Sequence, residues 1–303
     1  MSDRSLVQRI AAPFRRRDNS NIAYLFIAPS LLIVLVFVAI PIVWSFLLTF
    51  QKWSIITPGK WTGLTNYIRL FTQDPDYWNA FKNTAYFAAI QVPVSIFLSL
   101  VVAVVMNRKF AGVNFYRTVF FLPVIVSTVA IATIWLWLYD RDYGLINYGL
   151  RLVGITGPDW LGDPNLALTS VIFVSIWKGV GYMMVIYLAG LQGISTEYYN
   201  AASIDGANSW QLFWRITVPL IAPTTFFLAI TSFIGALQVY SLVFAMTSGG
   251  PLHSTETVAY VIWNVAFQQH AMGYASAQSF VLFAVIFAVT LFQVRYMNRK
   301  LTY

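Results

Sequence analysis

From Ile216 to Thr255 the chain carries no Lys, Arg, Asp or Glu, and six further stretches are also free of them: Asn19–Gln51, Asn83–Asn107, Thr118–Tyr139, Pro164–Trp177, Gly179–Thr196 and Thr257–Val294. An apolar helix needs about 20 residues at 1.5 Å each to cross ~30 Å of hydrocarbon. Measured against that length, the gaps predict six spans, at 22–50, 83–106, 118–138, 165–192, 220–247 and 276–294. The fourth joins two gaps across Lys178. None shows the period-2 alternation of a membrane barrel strand, so the expected class is all-α. The connecting stretches are too short for a soluble catalytic domain.

Composition agrees. Of 303 residues, 58% are hydrophobic and only 10% charged, whereas a soluble chain carries about a quarter charged. The 24 Phe, 17 Tyr and 11 Trp exclude a solvated disordered chain, and the absence of Cys excludes a disulfide scaffold. A net charge of +8 could indicate nucleic acid, but its distribution indicates topology instead. With the N-terminus inside, the inner segments hold Arg4, Arg9, Arg15, Arg16, Arg17, Arg108, Lys109, Arg117, Arg215, Arg295, Arg299 and Lys300 against four acidic residues. The outer segments hold six basic residues and seven acidic ones. Such a positive-inside bias predicts two cytoplasmic termini and no nucleic-acid partner.

The first apolar run exceeds the ~7–15 residues of a signal-peptide core, and no small-x-small cleavage site follows it. Before it, residues 1–21 form a basic segment in which Leu6, Val7, Ile10 and Phe14 recur at helical spacing. Two readings stand, a helix lying on the inner leaflet and a disordered tail. The remainder, 22–303, reads as one transmembrane domain.

Catalytic motifs are sparse. Gly59-Lys60 lacks the upstream glycine of a phosphate-cradling loop, so no ATP site is expected in this chain. His253 and His270 fall in one expected outer loop without a cysteine nearby, and no metal site is expected. The absence of carboxylates within the spans counts against an ion-coupled carrier.

The inner segment 193–219 carries the most local information. Ser195 can cap a first short helix, with Glu197 at the positive end of its dipole, and Gly206 suits a left-handed residue that ends it. Asn208 can cap a second, with Trp210, Phe213 and Trp214 on one face, and Pro219 is expected to open the fifth span near its first turn. Ala201 and Ala202 keep the first piece slim enough for a groove on a partner.

The spacing Asn200-Ala201-Ala202, three residues, Gly206, nine residues, Ile216, one residue, Val218-Pro219 resembles the EAA loop of the membrane subunits of binding-protein-dependent ABC importers. Tyr198 and Ile204-Asp205-Gly206-Ala207 narrow the resemblance to the sugar and glycerol-phosphate permease branch, which includes the MalF-type maltose subunit. The stretch Thr247-Ser248-Gly249-Gly250-Pro251, Thr255, Ala266-Phe267 and Gly273-Tyr274-Ala275 is similar to that branch's last outer loop and entry to its final helix. The resemblance implies a type I importer permease fold in the bacterial or archaeal cytoplasmic (inner) membrane. It also implies a heterodimer with a second permease subunit, an ABC ATPase pair that uses ATP and Mg below, and an extracytoplasmic solute-binding protein above. No cofactor is expected on this chain. The coupling residues implied are Glu197, Tyr198, Asn200, Ala201, Ala202, Asp205, Gly206, Ile216 and Pro219, and the binding-protein docking loop is Gly249, Gly250 and Pro251. Asn200 departs from the family's usual Glu and cannot make a carboxylate's charge-assisted contact. Glu197, three residues earlier on nearly the same face, can replace it.

For a solute path, Ser232, Gly235, Ala236 and Val239 form a small-residue stripe on the fifth span, with Gln238 on an adjacent face. Close helix packing in lipid favours the same small residues. Lys178 near the middle of the fourth span, where an ammonium costs ~2.5–3.5 kcal/mol, should face water or a partner. Trp135, Trp137 and Tyr139 read as interfacial anchors. The expected function is one half of an importer channel for a di- or oligosaccharide, worked by alternating access. Alternatives are a glycerol-phosphate or glycerophosphodiester importer, a stand-alone secondary carrier, and a membrane receptor.

Overall fold

A computed structural model describes residues 20–54, 57 and 59–298. The basic segment read as an inner-leaflet helix or tail lies almost wholly outside these. The regular structure of the described chain is helical apart from a two-residue antiparallel pairing of β1 (Gln51–Lys52) with β2 (Lys60–Trp61).

The first span is α1 (Ser20–Val34), a π-helical turn (Leu35–Ala39) and α2 (Ile40–Leu48). It stands against the bundle only at its far end. Phe46 meets Phe280 edge-on at 5.2 Å, Ser45 donates to the Ser276 hydroxyl at 3.3 Å, and the Gly273 amide donates to the Trp53 carbonyl at 3.2 Å. Leu48 is the one residue of α2 that is buried. The short α3 (Thr65–Thr72) follows, then α4 (Pro75–Met106). Asp74 caps α4 by accepting from the Tyr77 amide at 2.9 Å, and Pro75 sits where a missing amide proton costs little.

The third span is broken. Helices α5 (Val113–Ile125) and α6 (Thr128–Leu138) meet at 101°. The cause is local: Val126 is extended, and Ser127 starts a new helix by accepting from the Ala130 amide at 3.2 Å. Past the short α7 (Leu145–Leu152), α8 (Ala167–Gln192) runs straight for 26 residues, about 39 Å at 1.5 Å per residue. It lies along α4 in the same direction, so Tyr86 pairs with Thr169 and Ser99 with Met183. Gly181 makes the crossing with α5 possible, because the position of a Cβ there is occupied by the Phe120 backbone carbonyl.

After α9 (Thr196–Ile204), the segment of α10 (Ser209–Leu212), a π-helical turn (Phe213–Thr217) and α11 (Val218–Leu220) meets α12 (Ala222–Leu237) at 63°. Pro219 therefore lies within the inner arm rather than opening the fifth span. The bend falls at Ile221 because Pro223 has no amide proton for the Pro219 carbonyl and its ring would strike it. α12 also ends early, at Leu237, and the chain turns into α13 (Ser241–Met246). The helices α14 (Val258–Trp263, with a π-helical turn Asn264–Gln268) and α15 (Met272–Asn298) complete the described residues. Thus, among the described residues, four single helices and two bent pairs are apolar and long enough to cross a membrane.

The buried residues form two clusters along the bundle. One, at the end where α4 and α8 begin, includes Tyr77, Phe87, Trp135, Tyr139 and Val171; the other, near the end of α8, includes Met184, Tyr187, Ile221 and Leu228. The expected anchors Trp135 and Tyr139 are core residues, and Trp137 alone of the three is exposed. Residues 135 and 137 are about 200° apart around a helix, so they cannot share one environment.

Candidate coupling surface and solute path

The inner segment folds as two capped pieces. The Ser195 hydroxyl accepts from the Glu197 amide at 3.2 Å, starting α9. Gly206 ends it at φ +83°, and the Ala207 amide donates to the Ala202 carbonyl at 2.9 Å. Asn208 and Gln211 then exchange side-chain and backbone bonds at 2.9 Å, a reciprocal cap on α10. Tyr199 and Thr217, hydroxyl to hydroxyl at 3.1 Å, clip the first piece to the π-helical turn of the second. Sequence reasoning missed that pair, since two hydroxyls 18 residues apart carry no local signal.

Between the pieces lies an open groove of about 300 Å³, lined by Ala202, Asp205, Gly206, Ala207, Gln211 and Ile216, with Arg215 at its edge. Glu197, Tyr198, Asn200, Ala201, Asp205 and Gly206 are exposed, and Ala202 is half-buried. Trp210, Phe213 and Trp214 form an edge-to-face chain, with ring centroids 5.6 and 5.1 Å apart. Glu197 and Asn200 make no side-chain bond to any described residue, so both are available to a partner. The surface is concave, slim at Ala202 and bordered by both charge signs.

The residues expected along a path separate. Lys178 is half-buried on α8 and has no hydrogen-bond or ion-pair partner among the described residues. Ser232 turns toward α8, where its hydroxyl and that of Ser99 both approach the Met183 sulfur, at 3.8 and 3.7 Å. Gly235 is exposed with open space beside it. Ala236 does not line a surface: at 4% exposure it belongs to the core. Gln238 and Val239 lie beyond the end of α12 at Leu237, so the small-residue stripe loses Val239 and stops at Ala236. Gln238 is exposed, and the Val239 carbonyl accepts from the Thr257 hydroxyl at 2.7 Å.

At the opposite end of the bundle, the expected docking loop is a built turn. Gly249 has φ +85° and is buried against Glu256 and Tyr260; Gly250–Pro251 is cis. Thr255 donates to the Gly250 carbonyl at 2.7 Å. The exposed tip is Leu252 and His253, and Asn83 fixes the turn to α4 through the His253 and Glu256 carbonyls at 3.1 and 3.0 Å. α14 separates His253 from His270, so the two histidines do not share a loop.

His253 Nδ1 lies 2.9 Å from Glu256 Oε1. That hydrogen bond, with the charge of Glu256 behind it, raises the His253 pKa above its ordinary value. The folded-state pKa is the higher one, so the contact's stabilisation is complete below the unfolded value of about 6.5 and is lost as pH rises through the folded value. Amide protection factors across 247–257, in which the intrinsic base-catalysed exchange rate is divided out, are expected to fall over that rise. In His253→Gln the pH dependence should vanish; a slope that survives the substitution would assign it elsewhere.

Residues 95–303 match the family described as "Binding-protein-dependent transport system inner membrane component". The chain belongs to this family. It is 35% identical over 276 residues to the lactose transport system permease protein LacF of Rhizobium radiobacter, covering 89% of this chain and 92% of that one. It is 33% identical over 287 residues to the sn-glycerol-3-phosphate transport system permease protein UgpA of Agrobacterium fabrum, covering 94% and 97%. In fold it resembles a chain of a bacterial alginate ABC transporter solved in complex with an alginate pentasaccharide-bound periplasmic protein, with a TM-score of 0.83 at 23% identity, covering 94% of this chain and 97% of that one. The permease architecture expected from the sequence is the one observed, and the chain is an inner-membrane component of a transporter.

Proposed function

We propose that this permease is one of two membrane subunits of an ATP-driven sugar importer, with its inner groove coupled to an ATPase pair that binds ATP and Mg. The observation that carries the reading is the groove beside Ala202, framed by two capped helices on which the exposed Glu197 and Asn200 make no side-chain bond to any described residue. Closure of the ATPases on ATP moves α9 and α10, and the bent fifth span passes that movement to the membrane helices. These open alternately inward and outward around a solute. No residue of this chain makes or breaks a covalent bond; it supplies shape and hydrogen-bonding groups. Both termini lie in the cytoplasm, following the inner excess of arginine and lysine.

Likeness to a lactose permease supports a di- or oligosaccharide as the solute. The test is uptake by proteoliposomes holding the complex purified on this chain, with its solute-binding protein supplied outside and ATP enclosed. Expected is sugar uptake that stops without ATP or without the binding protein. Uptake by this chain alone on an ion gradient would overturn the reading in favour of a carrier.

A second substrate reading is favoured by Lys178, whose ammonium has no described partner in the span, and by the likeness to a glycerol-phosphate permease. In that case Lys178→Gln cuts uptake of a phosphate ester steeply, because a charge-assisted contact is lost. For a neutral sugar the same substitution leaves uptake nearly unchanged. Competition of labelled disaccharide by sn-glycerol-3-phosphate separates the two.

A further inference from the structure

At the end of the bundle opposite the coupling groove, α7 exposes apolar side chains where a loop helix in water would expose polar ones. Leu145, Tyr148 and Leu152 recur at i, i+3 and i+7, and Val153 and Ile155 continue the patch; all five are more than half exposed. The other face is fixed to the protein. Asn147 is buried and donates to the Arg141 and Pro158 carbonyls at 3.1 Å each, while its Oδ1 accepts from Trp160 Nε1 at 2.8 Å. α7 therefore cannot roll its apolar arc inward.

Its depth is fixed as well. Only Tyr139–Gly144 separate it from the end of α6, and this connection is a closed turn. The Asp140 carboxylate accepts from the Asp142 and Tyr143 amides at 3.0 and 2.8 Å, and the Asp140 carbonyl accepts from the Gly144 amide at 3.1 Å. A Cβ on Gly144 would run into the Asp140 backbone, so the turn cannot be widened by any other residue. The exposed strip of α6, Val129, Ile134 and Trp137, thus leads directly into the exposed arc of α7. Arg151 lies at one edge of that arc, its guanidinium donating to the Asp142 carbonyl at 2.8 Å.

We propose that α7 is an interfacial helix seated in the outer leaflet, its Leu145–Tyr148–Leu152 arc continuing the lipid-facing surface of α6 and its partner a lipid surface. This rests on the membrane orientation proposed above for the word outer, and on nothing in the coupling groove. The order of groups fits a headgroup boundary: aliphatic side chains toward the hydrocarbon, phenols at the interface, and an arginine on the flank at phosphate depth. Seated so, α7 holds the α6–α8 connection at a fixed height while the inner ends of the helices move.

The chain has no cysteine, so single substitutions Tyr148→Cys and Leu152→Cys can be spin-labelled in membranes of cells where the variant replaces the natural chain. Collision rates with oxygen and with a water-soluble nickel chelate are compared with those at Trp137→Cys and Lys60→Cys. Expected is an oxygen-to-nickel ratio matching Trp137 and well above Lys60. A ratio like that of Lys60 overturns the proposal in favour of water, and low collision with both agents overturns it in favour of a protein partner. As a measurement independent of labelling, Leu152→Glu should lower the amount of chain in the membrane, whereas Leu152→Trp should leave it unchanged. Equal amounts from both would also overturn it.

Discussion

Replacing Ala202 with Trp is expected to abolish ATP-driven transport while the chain still accumulates in the membrane. Ala202 lines the groove between α9 and α10, and its carbonyl already receives the Ala207 amide. The backbone therefore holds Cβ in place and an indole has no direction in which to retract except into the groove of about 300 Å³. Residues at the centre of an interface lose ~2 kcal/mol or more when their contact is destroyed, about thirtyfold in affinity. Filling the groove removes the contact for the whole segment, so the loss should be at least that large. Uptake and solute-stimulated ATP hydrolysis should fall together, whereas Ala202→Ser, which fits, should retain both. Full transport by Ala202→Trp would mean that the groove receives nothing.

The second large effect concerns the fold. Gly181→Leu is expected to remove most of the chain from the membrane, because the first added carbon meets the Phe120 carbonyl and the Phe121 Cα, backbone atoms that cannot rotate away. Inserting side-chain atoms into a packed contact costs about 1–3 kcal/mol when neighbours can adjust, and more when they cannot. Gly181→Ala already brings the clash. Gly179 lies two residues earlier on the same helix and has open space around its missing Cβ, so Gly179→Ala should leave abundance intact and thermal stability equal or slightly higher. Equal stability of the two alanine variants would show that α5 and α8 do not depend on this close approach. The comparison isolates one crossing, since both glycines carry the same helix-propensity cost.

What could be read from the residues follows from the range of the interactions involved. Ser195, Gly206 and Asn208 were legible as punctuation because a cap or a left-handed residue is decided within three or four positions. The spans were legible because water and lipid sort side chains by average polarity. Bends were less so. Pro219 and Pro223 both precede an apolar run, and only the geometry at Ile221 shows which of them turns the chain. The stripe through Ser232, Gly235, Ala236 and Val239 assumed an unbroken helix, and the end of α12 at Leu237 moved Val239 off it. Burial of Trp135 and Tyr139 against Trp160 and Phe173 depends on a segment some thirty residues away, which no local pattern announces. The clip between Tyr199 and Thr217 belongs to the same class.

The packing of the first span also fixes an order of assembly. α2 rests on α15, the last described helix, through Phe46 on Phe280 and Ser45 on Ser276. Ser45 leaves the ribosome 231 residues before Ser276, so α2 reaches the bilayer long before the helix on which it rests. During that interval its side chains have only lipid, or a neighbouring protein, for company. Truncation at the start of α15 should therefore leave α1 and α2 inserted but undocked, with cross-linking between Ser45 and Ser276 in the longer chain as the sign that α15 has been made and has docked.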